Sequence, residues 1–215
     1  TVVSSIDSLE SMVKSLKAAQ ITAFDVETTS LDPMRCTLVG VSFACIEGDA
    51  YYVPVGHQEG EQLGTDLVID TIRDVLQNPS VSVIAHNANF DLTVLANYGI
   101  EPESVNLTFD TMLAAHLLGE RLRLKQLAFS ILNIEMTEIS ELIGSGRNQI
   151  TFDQISIPNA APYAAADADM TLRLKNWFET KLRENNLLES FLRHEIPLVA
   201  VLVRMQLHGI TIDTT

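Results

Sequence analysis

The run "ITAFDVETT" constrains the chain more than any other stretch. Its apolar and β-branched residues read as a strand. Residues two apart in a strand point to the same side, so Asp25 and Glu27 project together while Phe24 and Val26 face the opposite layer. One side then needs an apolar layer, and the other holds two like charges. Their repulsion costs free energy unless one carboxyl takes up a proton or a cation sits between them. A solvated strand edge carries the same D-x-E pattern, so other residues must decide between an edge and a metal site.

The surrounding pattern predicts an α/β domain. In "SIDSLESMVKSLKAAQ", Ile6, Leu9, Val13 and Leu16 recur at helical spacing behind Ser5 or Asp7 as caps. After the D-x-E strand, "CTLVGVSFACI" and "AYYVPV" read as an antiparallel hairpin across "EGD". A helix in "DLVIDTIRDVLQN", stopped by Pro79, leads to the apolar run "VSVIAHN", which suits a buried strand. A helix from about Asn89 to Tyr98, stopped by Gly99, and a short strand around "LTFD" extend this β-β-β-α-β order into a mixed sheet flanked by helices. Beyond Asp110 the chain turns helical, in "TMLAAHLL", "LKQLAFSILN", a long pattern from about Asn159 through Glu184, and "SFLRHEIPLVAVLVRMQLHG". Between them, "SELIGSGRNQITFDQISIPNA" is broken by Gly144, Gly146 and Pro158. Its Ile150, Phe152, Ile155 and Ile157 need a packing surface, so it reads as an ordered loop rather than a linker.

At 215 residues, 47% hydrophobic and 20% charged, the chain has the make-up of a globular domain with a substantial core. No apolar run is long enough to span a bilayer, and "TVVSSIDSLE" lacks the basic and apolar blocks of a signal peptide, so a cytoplasmic protein with no membrane partner is expected. Cys36 and Cys45 fall in one strand segment and read as reduced core thiols. The net charge of −14, from 28 acidic against 14 basic side chains, argues against an autonomous nucleic-acid-binding module. It is compatible with an enzyme that meets phosphate through divalent cations and borrows positive surface from a neighbouring domain.

Two further acidic motifs join the first. In "AHNANFDL" a strand gives way to a helix carrying Asp91, with Asn87 and Asn89 as turn and cap formers and Phe90 as an apolar anchor. Asp91 alone would be an ordinary first-turn carboxylate, favourable with the helix dipole. In "PYAAADADMTLRL", Tyr163 and Asp167 stand four apart on one helix face among alanines, and Asp169 reads as a solvated carboxylate or as one that caps or pairs locally. Carboxylates of this kind, with no Cys or His cluster beside them, suit Mg²⁺ or Mn²⁺. Two such ions roughly 4 Å apart clamp the attacking and leaving oxygens of a phosphoryl displacement. The five histidines show no ligand or triad spacing.

"FDVETTSLD", "HNANFDL", "GSGRNQITFDQI" and "YAAADADMTLRL" together resemble the DEDD superfamily of 3′-5′ exonucleases in its Tyr-containing branch. In particular they resemble the proofreading exonuclease domain of bacterial family A DNA polymerases. The resemblance implies an RNase H-like fold with a helical C-terminal half. It implies an exonuclease domain over residues 1–193 and, over 194–215, the start of a connection to a polymerase domain of the same parent chain. It also implies a monomer acting on a single-stranded DNA 3′ end with two divalent cations, Mg²⁺ or Mn²⁺. Asp25 would bridge both ions, Glu27 and Asp167 would complete one site, and Asp91 would hold the other largely through water. Tyr163 would orient the attacking water, because a phenol with a pKa near 10 is mostly protonated at neutral pH. Leu31 would wedge against the terminal base, and Thr28, Asn87 and Phe90 would line the nucleotide pocket; core packing is the competing reading for Leu31 and Phe90. Among Arg121, Arg123, Lys125 and Arg147 some would contact the strand, most lying on a solvated helix face. The alternatives are an RNase D-like RNA 3′ exonuclease and a catalytically silent scaffold of the polymerase. The "GSGRNQITFDQI" loop and the polymerase-like C-terminal segment oppose the first, and the complete ligand set opposes the second.

Overall fold

Within residues 1–213, which the computed structural model describes, five strands make one sheet: β1 (Ile21–Thr28), β2 (Leu38–Ile46), β3 (Asp49–Pro54), β4 (Ser82–Ala85) and β5 (Leu107–Asp110). Their spatial order is β3-β2-β1-β4-β5. The D-x-E strand is thus central. It pairs antiparallel with β2, Asp25 opposite Ser42 and Glu27 opposite Gly40, and parallel with β4. β4 and β5 are also parallel.

The period-two alternation of β1 sorts its side chains between two apolar layers. Phe24 and Val26 join Val41, Phe43 and Val53 of the neighbouring strands beneath α1 (Ile6–Ala19), α2 (Thr65–Leu76) and α3 (Ala88–Ala96). On the other face Ala23, Ala44 and Ile84 meet α7 (Ile157–Glu184) through Ala168, Leu172 and Phe178. Nearer the start of α7, Ala160, Ala161 and Ala164 pack against Val39 and Tyr52. Small side chains let this helix lie close to the sheet, and Asp25 and Glu27 are caught between them.

The N-terminal helix is capped by Ser5, whose hydroxyl accepts from the Ser8 N–H. Its buried line is Leu9, Met12 and Leu16, whereas Ile6 is 56% exposed and Val13 only half-buried. The helix therefore presents Met12 to the sheet, and the stripe expected through Ile6 is displaced. Cys36 lies ahead of β2 rather than in it, and both cysteines are free thiols.

The C-terminal half is helical as expected. It comprises α4 (Thr111–Leu117), α5 (Leu124–Leu127) running into a π-helical turn over Ala128–Leu132, α6 (Ile139–Ile143), α7, α8 (Leu188–Ser190) and α9 (Ile196–His208). The Gly-rich segment ahead of α7 is ordered: Phe152, Ile155 and Ile157 are buried, and Ile150 alone of the four stays exposed. It also contains α6, which is too short for its periodicity to show before Gly144 ends it. α7 begins at Ile157, two residues before the expected start, because Pro158 occupies its first turn, where a missing N–H is harmless. Val199 and Val203 of α9 enter the apolar layer that holds Leu92 and Leu95 of α3, and Arg204 clamps Glu101 and Glu103, each at 2.6 Å. Among the described residues no helix is long and apolar enough to cross a membrane.

Gly40 of β2 makes room for the Tyr52 ring of β3 on the same side of the sheet: an added Cβ would come 2.3 Å from the Tyr52 hydroxyl. That hydroxyl, fully buried, donates to Nε2 of His57 at 2.6 Å, and Nδ1–H of His57 donates to the Ile155 carbonyl at 2.8 Å. Burial pushes the His57 pKa down, in keeping with a neutral ring that accepts on one nitrogen and donates from the other. Gly40→Ala should displace Tyr52 and lower stability by about 1–3 kcal/mol. Denaturant melts check this: an unchanged midpoint would mean that Tyr52 moves aside freely.

Candidate active site

Asp25 and Glu27 leave β1 on the α7 side, and Asp167 descends from α7 to meet them. One carboxylate oxygen from each lies within 4.8 Å of the others. Glu27 is buried, and Asp25 and Asp167 are half-buried. Asp91, in the first turn of α3 and only 2% exposed, stands outside this trio but feels the charge of Asp25. Buried oxygens of Glu27, Asp91 and Asp167 have no hydrogen-bond partner. Lone pairs removed from water without a donor are costly, and their clustering calls for a hard cation.

The titration behaviour follows from the same crowding. Burial first, and then the charge of Asp167, hold the Asp25 pKa well above the carboxylate range. Burial followed by Asp25 does the same for Glu27, and burial followed by Asp25 and Asp110 for Asp91. Burial raises Asp167 to about 7. Oxygen donors that are crowded, buried and unpaired fit a site for Mg²⁺ or Mn²⁺, which would take the place of the protons.

Tyr163 sits one turn ahead of Asp167 on α7. The Phe152 ring lies 5.9 Å from its ring, and Lys125 Nζ is 4.0 Å from its centroid. Burial and then the Asp167 charge push its pKa up, so the phenol keeps its proton. Beside it opens a cleft of about 800 Å³ lined by Glu27, Thr28, Leu31, Phe90, Phe152 and Tyr163. Leu31 is 93% exposed, which removes core packing as an account of it. Phe90 is half-buried, packed against the core while still facing the cleft. Asn87 does not line this cleft. It adopts a left-handed turn, φ 71°, and borders a separate recess with Met112 and Leu198.

Residues 1–183 match the 3′-5′ exonuclease family. The chain belongs to that family. The exonuclease is 43% identical over 216 residues to DNA polymerase I of Chloroflexus aurantiacus and 38% identical over 211 residues to that of Pseudomonas aeruginosa. These alignments cover 99% and 95% of the exonuclease chain, which spans 23% of the length of each relative. Its fold matches the solved POL domain of Pol1 from M. smegmatis in complex with DNA primer-template and dNTP. The TM-score is 0.77 at 18% identity, over 99% of the exonuclease chain and 33% of the other. The mixed sheet with its helical C-terminal part is RNase H-like.

Around the acidic trio the exonuclease uses residues that the motifs leave out. Asp110, 1% exposed at the end of β5, accepts from the backbone N–H groups of Ala88 at 2.7 Å and Asn87 at 3.2 Å while capping α4 through Met112 and Leu113. It ties the start of α3, and so Asp91, to the sheet. An Asp between a strand and a helical run is a cap signature that marks it in the sequence. Of its two readings Asp169 takes local pairing, and the solvated one does not hold. It is 8% exposed, accepts from the Gly48 N–H at 2.8 Å and pairs with Arg173 at 3.0 Å, fastening α7 to the β2–β3 turn. Lys125 is half-buried beside Tyr163 instead of on a solvated face.

Raised carboxyl pKa values make the metal-free exonuclease sensitive to pH. Between an ordinary 3.8 and about 7 the folded chain holds the Asp167 proton that the unfolded chain releases, so this contribution is complete below pH 3.8 and disappears as pH rises through about 7. Asp167→Asn removes the repelling charge. Without divalent cations it should raise the thermal midpoint at pH 8 by roughly 2–8 °C, corresponding to ~1–2 kcal/mol, and have little effect at pH 4. Melts in chelator at the two pH values check this, and a gain of equal size at both would exclude the charge origin.

Proposed function

We propose that this chain is the proofreading domain of a bacterial DNA polymerase I and removes nucleotides one at a time from the 3′ end of single-stranded or frayed DNA. The observation that carries the reading is the convergence of Asp25, Glu27 and Asp167 on unpartnered buried oxygens, with Tyr163 one turn away and an open cleft beside them. Asp25, Glu27 and Asp167 would hold one divalent cation, Mg²⁺ or Mn²⁺, and Asp25 with Asp91 a second, Asp91 largely through water. Bound cations supply charge stabilisation for the attacking and leaving oxygens of an in-line displacement at phosphorus.

The protein's own groups do the rest. The protonated Tyr163 hydroxyl orients the attacking water by hydrogen bonding and does not serve as a base. Water gives up a proton to solvent as its oxygen bonds to the phosphorus joining the last two nucleotides, the P–O3′ bond breaks, a nucleoside 5′-monophosphate departs, and the O3′ left on the shortened strand takes a proton from solvent to become its 3′-hydroxyl. Leu31, exposed at the cleft, wedges against the terminal base, while Thr28 and Phe90 flank the nucleotide. An apolar wedge unstacks a base without reading sequence, as proofreading requires. Asn87 contributes by shaping the entry to α3 rather than by lining the nucleotide pocket.

A net charge of −14 gives this chain no long-range pull on DNA. The reading therefore assigns residues 1–193 to the exonuclease and 194–215 to the start of a connection to the polymerase domain, which delivers the strand end. Residues 214 and 215 of that connection lie outside the described residues. The domain is expected to act as a monomer within a cytoplasmic enzyme.

A gel assay of 5′-labelled single-stranded DNA and matched RNA, in Mg²⁺, Mn²⁺ or chelator, tests the reading. A metal-dependent 3′ ladder on DNA is expected. Preference for RNA would shift the assignment to RNA trimming, and silence on both strands would favour a scaffold. Asp25→Ala should lower cleavage at least ~10²-fold. Leu31→Ala should lower kcat/KM about 5–50-fold, and an unchanged value would remove the wedge role.

A further inference from the structure

We propose that Lys125 is a positioning residue that holds the Tyr163 ring so that its hydroxyl is aimed into the carboxylate site. The inference rests on the role proposed above for Tyr163 and extends it to a residue outside the acidic motifs. Lys125 lies in α5, a helix of four residues, and is half-buried. Its Nζ donates to the carbonyl of Thr137, in the segment leading to α6, which pins the ammonium at one end. The same Nζ lies 4.0 Å from the centroid of Tyr163, close enough for the cation to be drawn to the face of the ring.

Lys125 takes part in none of the ion pairs found among the described residues, so its direct partners are the ring and a carbonyl, while its charge still reaches Asp25, Glu27 and Asp167 and pulls each pKa down. The Tyr163 ring has a second neighbour in Phe152, tilted by 54°. Phe152 is in turn packed near His57, whose bond to Ile155 anchors that stretch to the sheet. Tyr163 is thereby held by two segments, one ordered by the Lys125–Thr137 bond and the other by the Tyr52–His57–Ile155 chain. A phenol that orients a water molecule must keep a fixed angle, and a ring held from two segments keeps it better than a ring on a free rotor.

The test combines Lys125→Met, which keeps the apolar stem and removes the cation, with Lys125→Arg, which restores a cation. The first readout needs neither substrate nor metal: ring-labelled tyrosine NMR of this chain in chelator. The chain has four tyrosines, so the signal lost in Tyr163→Phe identifies the one of interest. Lys125→Met should shift that signal and speed its ring flipping, and Lys125→Arg should restore both.

The second readout is single-strand DNA cleavage. Lys125→Met should lower kcat about 3–30-fold with KM unchanged, and should cost nothing more in a Tyr163→Phe background, where there is no hydroxyl to aim. An unmoved Tyr163 signal would overturn the proposal. So would losses that multiply in the double variant, since Lys125 would then act on the strand or on the carboxylates independently of Tyr163. Absence of cleavage by the unaltered chain would count against the exonuclease reading alone, leaving NMR to decide the placement of the ring.

Discussion

The burial of like charges between β1 and α7 is the constraint around which the molecule is arranged. Alternation along β1 forces Asp25 and Glu27 to the side opposite Phe24 and Val26, and α7 brings Asp167 onto the same spot. Each carboxyl is held well above its ordinary pKa by loss of water and by its neighbours, an arrangement that weakens the metal-free fold. It persists because the elements carrying the charges are fixed by other interactions. Alanines at positions 160, 161, 164 and 168 let α7 settle on the sheet, and the Phe24 layer anchors β1 from below.

The remaining parts of the site are held by long-range polar links. Asp110 spans the start of α3 and the start of α4, so that the helix bearing Asp91 cannot tilt without breaking bonds to both. Asp169 fastens α7 to Gly48, and His57 joins β3's Tyr52 to the segment entering α7. These bonds are buried or partly buried and connect elements distant in sequence. Their loss would leave unpaired polar groups behind, so they fix geometry more firmly than exposed pairs such as Arg35 with Asp32.

What the sequence discloses is what local periodicity can carry. The β-β-β-α-β order, the shared face of Asp25 and Glu27, and the shared helix face of Tyr163 and Asp167 all follow from periods of 2.0 and 3.6 residues. Lys125 does not follow, because its helix is too short to have a readable face and its contact with Tyr163 is made only when the chain closes. Asp169 looks solvated in isolation because its partner Gly48 lies 121 residues away. The turn of Asn87 away from the cleft depends on the left-handed backbone ahead of α3, which the Asn-rich run suggests but cannot orient. Leu31 is the reverse case: its neighbours in the sequence fit a core residue as well as an exposed one, and only the fold shows it projecting into solvent.

The electrostatics of the site bear on how an acidic domain could accept a polyanion. With every carboxyl ionised, Asp25, Glu27, Asp91 and Asp167 would repel phosphate from a cleft whose one neighbouring cation among the residues discussed is Lys125. Two divalent cations would cancel the charge of those carboxylates and leave the Lys125 ammonium uncompensated beside Tyr163. The local field then changes from repulsive to weakly attractive over a distance shorter than the ~8 Å screening length of physiological salt. The chain's net charge of −14 remains unattractive to duplex DNA. On the function proposed above the cleft would hold only a strand end brought to it, and the negative charge that argues against an autonomous nucleic-acid-binding module would keep paired DNA away from the site.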